Sequence, residues 1–210
     1  MLKHIIIISI FSYSLKSFAI GKEVCEGFYV THNDDTVKCS FHVPLILIGG
    51  ISGERGLDLR SLNWSIELND SIKGKNKLRP GDVKSFNFFY NGKAQVFLAK
   101  PIFLDFEGGF ISDEDSVFLK TIVEGPLSLY EYQTSSGSKD FGYIVNTSYC
   151  LQWKTEKPYG VPNAAKKFRE AMIWYLSACP ELTKKIESEQ YTKSDMEVIV
   201  NEYNDNCVKK

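Results

Sequence analysis

Apolar and polar residues alternate along most of the first three quarters of the chain. Val37, Cys39, Phe41, Val43 and Leu45 take every second place against Lys38, Ser40, His42 and Pro44. A period of two predicts a strand with one buried face. Leu62, Trp64, Ile66 and Leu68 repeat the pattern against Asn63, Ser65 and Glu67. Phe86, Phe88 and Tyr90 lead into Asn91-Gly92, and Ala94, Val96 and Leu98 lead out. Asn-Gly tolerates the positive φ angles of a two-residue turn, so this segment is a β-hairpin. Residues 117–123 and 127–133 flank Glu124-Gly125-Pro126, and 141–145 and 149–153 add two short strands. If Asn33-Asp34 forms the first turn, Cys39 lies opposite Phe28 and Cys25 opposite His42.

At 158–162 the period lengthens to that of a helix. Phe168, Met172, Tyr175/Leu176 and Cys179 form one stripe, with Asn163 as the expected N-cap. Pro180 suits the first turn of a second helix carrying Leu182 and Ile186. Thr192 and Asp195 form a capping box before a third stripe, Met196, Ile199/Val200 and Tyr203. The expected fold is α+β: an antiparallel β-sandwich or open barrel of roughly eight strands, followed by a C-terminal helical segment. Residues 20–157 form the β-rich domain and 158–210 a helical cap packed on it.

The first nineteen residues, MLKHIIIISIFSYSLKSFA, differ from both patterns. A short polar head, an apolar run and the small residues Ser17 and Ala19 make a cleavable signal peptide, cut after Ala19. The run is too short to span a membrane, and no later apolar stretch reaches that length. Cys25 follows Lys22-Glu23-Val24, a charged and branched context unlike that of a lipid-modified cysteine. The expected address is secreted or periplasmic, in an oxidising space that favours disulfides. Cys179 and Cys207 close a loop across the helical segment and are the expected bridge. Cys25, Cys39 and Cys150 are left unassigned, with Cys150 open to either of the others.

A formal charge of −1, with 43% hydrophobic and 24% charged residues, describes a folded protein. It offers no concentrated basic face for nucleic acid. His32 and His42 lie in a polar turn and on a polar strand face, without metal-pair spacing. No catalytic residue is assigned and no cofactor is expected. The glycine-rich stretch 49–56 lacks the Lys-Ser/Thr end of a phosphate loop and reads as a strand connection. Asp105, Glu107, Asp113, Glu114 and Asp115 form the acid-rich cluster. Asp113 and Asp115 are calcium candidates, and a carboxylate pair for glycoside hydrolysis is the alternative use. Tyr29, Trp64, Phe86, Phe88, Phe89, Tyr90, Tyr130, Tyr132 and Trp153 fall mostly on strand alternation and are read as core.

The order of motifs resembles a family of uncharacterised secreted proteins of Gram-negative bacteria. The matching features are Gly27-Phe28-Tyr29-Val30 with Asp35-Thr36, then Leu78-Arg79-Pro80-Gly81-Asp82, then 118–125 leading to 127–130. The tail Cys179-Pro180-Glu181-Leu182, with Ile186, Tyr191, Tyr203-Asn204 and Cys207, is the most specific part. The resemblance implies export and a β domain followed by helices, and carries no activity or ligand. The expected function is a non-enzymatic envelope protein that binds or assembles with an unidentified envelope protein or glycan. The rival expectations are a periplasmic hydrolase of glycans or peptides using carboxylates near 105–115, and a calcium-stabilised adhesion-type domain.

Overall fold

The structure, a computed structural model, describes residues 21–48, 54–72, 75–101, 116–138, 142–154 and 156–208. Among the described residues eleven strands form one mostly linear antiparallel sheet. They are β1 (Gly21–Val30), β2 (Thr36–Ile48), β3 (Glu54–Leu57), β4 (Ile66–Ile72), β5 (Lys75–Leu78), β6 (Ser85–Tyr90), β7 (Lys93–Pro101), β8 (Ser116–Val123), β9 (Leu127–Ser138), β10 (Gly142–Trp153) and β11 (Tyr159–Gly160). The spatial order is β11-β10-β9-β8-β7-β6-β1-β2-β4-β5, with β3 also paired to β2. The helices are α1 (Leu59–Leu62), α2 (Ala165–Tyr175), α3 (Pro180–Glu187) and α4 (Met196–Asn206). Among the described residues the sheet does not close, and its pairing forms a single path where a sandwich or open barrel of roughly eight strands was expected.

Local rules account for most elements. Asn91 and Gly92 take φ of 50° and 72°, the left-handed turn that joins β6 to β7. Tyr90 therefore faces Lys93, and Phe86 faces Phe97. The first hairpin differs from the expected register by one residue. Its loop runs from Thr31 to Asp35 with Asp34 at φ 68°, so Cys39 faces Gly27 and Cys25 faces Phe41. The strand expected from Leu62 is also displaced. Arg60 and Ser61 both donate to the Asp58 carboxylate, folding Leu59–Leu62 into a helical turn that buries Leu59 and Leu62. Trp64 is left half exposed at 49%, and β4 begins only at Ile66. The two short strands expected between 141 and 153 are one strand, β10, paired with β9 along its length.

The sheet is strongly curled. The six steps from Leu57 in β3 to Asn63 after α1 include four helical residues and span no more than about 15 Å. Asn63 nevertheless donates its side-chain amide to the Gln133 carbonyl in β9 at 3.0 Å, and its own carbonyl accepts from the Phe118 N–H in β8 at 2.8 Å. On a flat sheet β3 and β9 would be six strand spacings apart, about 29 Å. Curling places both ends of this path around one interior. Phe41, Phe86, Phe88, Phe97 and Phe118 fill that interior, fully buried or nearly so, with ring centroids 4.7 to 6.4 Å apart. Each good aromatic pair adds about 0.5–1.5 kcal/mol beyond its buried area.

The same face carries a second core where α2, α3 and α4 cover β9 and β10. Leu127, Leu129 and Leu151 meet Phe168, Met172, Leu182, Ile186, Ile199 and Tyr203 there. The helical stripes thus fall as the sequence pattern predicts. Pro180 opens α3, and Thr192 with Asp195 forms the capping box ahead of α4. Asn163 does not cap α2, whose N-cap is Ala164. Its side chain instead accepts from Lys193, whose ammonium also reaches the Thr147 carbonyl at 2.8 Å and lies over the Tyr149 ring. Cys179 and Cys207 form a disulfide with Cα atoms 5.4 Å apart, tying the start of α3 to the end of α4. On the sheet's opposite face Val117, Leu119, Tyr130, Tyr132 and Cys150 form a smaller buried cluster. Among the described residues no helix is long and apolar enough to cross a membrane.

Candidate functional site

The two cores on the concave face are separated by a polar strip. Following the cross-strand row from Tyr29, the partners are Phe86, Phe97, Lys120, Glu131 and Tyr149. Three aromatic positions thus give way to an ion pair before the row returns to an aromatic under the cap. Lys120 Nζ lies 3.1 Å from Glu131 Oε2, with only 22% and 16% of the two side chains exposed. In a pair this sheltered each partner offsets the desolvation of the other.

Beside this pair the curled sheet opens into a cleft of about 360 Å³. Three segments remote in sequence line it. β3 contributes Arg55, Gly56 and Leu57; the β6–β7 hairpin contributes Tyr90, Asn91, Lys93 and Gln95; β8 and β9 contribute Lys120, Glu131 and Gln133. The first segment is tied to the second by the Tyr90 hydroxyl, which donates to the Arg55 carbonyl at 3.1 Å. Arg55 and Lys93 are exposed, and among the described residues neither forms an ion pair. Among the described residues the lining carries three cations against one carboxylate. Its polar inventory is a guanidinium, two ammonium groups, a carboxylate, three amides and a phenol, which together can donate and accept hydrogen bonds around one guest.

A second concavity of about 450 Å³ lies at the edge of the cap between Trp153, Lys154, Glu156, Ala178 and Tyr203. Its aromatic rings are engaged with each other: Trp153 meets Tyr203 edge-on at 5.1 Å. Trp174 on α2 is 72% exposed, with its ring 6.2 Å from that of Tyr175. Burial is the main cause that pushes the Tyr175 hydroxyl well above the usual phenol range.

The sequence-predicted candidates fall elsewhere. Asp105, Glu107, Asp113, Glu114 and Asp115 lie outside the described residues, as does the glycine-rich stretch 49–53. Among the described residues no group of three or more His, Cys, Asp and Glu side chains is placed to hold a metal ion. His32 contacts the Gly81 carbonyl, and His42 is paired across the sheet with Glu67; neither lines the cleft. Cys150 cannot partner Cys25 or Cys39. It is buried on the far face of β10, five strand positions from β1, and the three thiols are free. Burial pushes the Cys150 thiol up to about 12 and, with Glu26 adding to it, the Cys39 thiol up to about 11. Burial and then Glu23 raise Cys25 as well. These are thiols held away from thiolate chemistry.

Beyond Tyr90 and Asn91, periodicity singles out none of the cleft residues, although one signal for them exists. In β7 the alternation of Ala94, Val96 and Leu98 suggests that those residues face the core. The two-residue turn decides otherwise: an inward Tyr90 requires an inward Lys93, hence an inward Gln95 and Phe97. Ala94 is exposed, and Leu98 packs against the cluster on the opposite face. Polar residues at inward positions of a strand are the mark of a lined mouth. Comparison of the chain with protein-family models, with curated proteins and with solved structures finds no match.

Proposed function

We propose that this chain is an exported, non-enzymatic binding protein that engages an envelope component through the polar cleft. The observation that carries this reading is the convergence of β3, the β6–β7 hairpin and β8–β9 on one volume lined by amides and cations. Those groups supply orientation and hydrogen bonds, the recognition chemistry of a ligand pocket. In this reading the curled sheet acts as an open barrel whose mouth holds the guest. The Cys179–Cys207 bridge supports an oxidising compartment, in keeping with the signal-like first nineteen residues.

The test is site-specific photo-crosslinking in intact producing cells. A photo-reactive residue at Asn91, on the cleft rim, is compared with one at Lys38, exposed on β2 outside the cleft lining. An adduct from position 91 and none from 38 supports the reading. No adduct from 91, or equal adducts from both, overturns it.

A further inference from the structure

We infer that the guest is an acidic saccharide of one or two rings, held by its carboxylate on Arg55 and Lys93. The inference rests on the binding role proposed above for the cleft. Charge sets the sign. Lys120 and Glu131 neutralise each other at 3.1 Å, and among the described residues this leaves the Arg55 guanidinium and the Lys93 ammonium as the uncompensated charges of the lining. Two like charges beside one cleft repel, and a bound carboxylate relieves that repulsion while accepting charge-assisted hydrogen bonds. Arg55 presents a planar fork that fits a carboxylate with two parallel bonds. Its backbone is held on both sides, by pairing with Leu47 in β2 and by the Tyr90 hydroxyl on its carbonyl. Anchoring of this kind lowers the ordering cost of binding.

The rest of the lining sets the class of the guest. Asn91, Gln95 and Gln133 each offer an amide donor and an amide acceptor, a match for hydroxyl groups that also do both. Leu57 and Leu59 supply an apolar wall for the less polar face of a ring. A volume of about 360 Å³ lies near the lower end of ligand pockets and suits one or two sugar rings better than an extended chain.

Isothermal titration calorimetry on the full chain tests this with three probes: digalacturonate, its neutral counterpart galactobiose, and inorganic phosphate. Digalacturonate is expected to bind, with R55Q and K93Q each weakening it about fivefold, the scale of one exposed ion pair. K166Q, which removes a charge from the exposed face of α2, leaves the affinity unchanged. Galactobiose and phosphate each bind at least about tenfold more weakly than digalacturonate. If galactobiose binds as tightly as digalacturonate, the acidic-ligand inference fails and the binding reading stands. If phosphate matches digalacturonate, the saccharide class fails. Binding that R55Q and K93Q leave intact overturns the assignment of the carboxylate to this cleft. If no probe binds, the acidic-saccharide inference is overturned, and the crosslinking result at Asn91 decides the binding reading separately. Arg55 and Lys93 are both exposed, so their variants are expected to melt like the parent protein, which thermal unfolding verifies.

Discussion

Asn204 pins the helical cap to the sheet, and a double-mutant cycle with Gly125 measures that pin. Its side-chain amide donates to the Leu127 carbonyl at 2.8 Å, and its Oδ1 accepts from the Leu127 N–H at 2.9 Å. A residue of α4 thereby takes the place of a β8 partner at the start of β9, where the β8–β9 pairing stops at Val123 and Leu129. Replacing Asn204 with Ala leaves both part-buried backbone groups unpaired. Each costs about 1–3 kcal/mol, and partial access to water brings the expected total to about 2–4 kcal/mol. That is a large share of a typical domain stability of about 5–15 kcal/mol. Gly125 lies against the same side chain. A Cβ at 125 would come 2.7 Å from Asn204 Nδ2 and 3.1 Å from its Cγ, with no other atoms as close. Gly125→Ala in the parent therefore displaces Asn204 and loses the same two bonds, at about 2–3 kcal/mol. In the Asn204→Ala background the obstructing atoms are gone, and Gly125→Ala becomes neutral or stabilising by up to about 1 kcal/mol. Urea unfolding of the four proteins, followed by tryptophan fluorescence, gives the coupling energy. A coupling of at least about 2 kcal/mol is expected. Additive effects within about 0.5 kcal/mol would refute the pin.

Gly27→Ala places a methyl inside the Asn87 carbonyl and 2.9 Å from the Phe88 Cα, because β1 and β6 approach closely there. It is expected to lower stability by more than about 2 kcal/mol, read as a shift in the urea midpoint. Serine at Cys179 and Cys207 is expected to cost about 3.5 kcal/mol for a bridge of sequence separation 28, and unreduced peptide mapping of the parent should recover the two cysteines in one linked pair. Glu202 accepts from Lys185 Nζ at 2.7 Å and from the Tyr191 hydroxyl at 2.8 Å. The Lys185 bond first, and the Tyr191 bond with it, hold its carboxyl below the usual range of about 4.5. A lowered carboxylate stabilises the fold above its unfolded pKa and loses that contribution as pH falls through the folded value. Glu202→Gln should therefore unfold at lower urea than the parent at pH 7, with the two midpoints converging as the pH is taken down through the folded value. A gap that persists unchanged in acid would contradict the assignment.

What the sequence displays and what it hides follow from the range of the interactions. Asn91-Gly92 announces its hairpin because two adjacent residues alone decide the turn. The helical stripes around Phe168, Leu182 and Ile199 are legible because a three-to-four-residue period is local. The register of the first hairpin shifts by one because Asp34 enters the left-handed region, a choice that the residue types around it only bias. Leu62-Trp64-Ile66-Leu68 imitates a strand, yet the Asp58 carboxylate collects Arg60 and Ser61 and folds the first part into a helical turn. The curl that gathers Arg55, Lys93 and Gln133 depends on Asn63 meeting Gln133 seventy residues later. No periodicity records a contact of that separation. The pairing of Lys120 with Glu131 is hidden for the same reason, since it follows from the β8–β9 register.

We propose that three remote segments, 55–57, 90–95 and 131–133, form one binding site at the mouth of the curled sheet. Amide chemical-shift mapping of the full chain during a digalacturonate titration is the decisive measurement. Amides at 55–57, 90–95 and 131–133 are expected to shift together along one binding curve. Shifts centred instead on Trp153 and Tyr203, or shifts confined to one of the three segments, would contradict it.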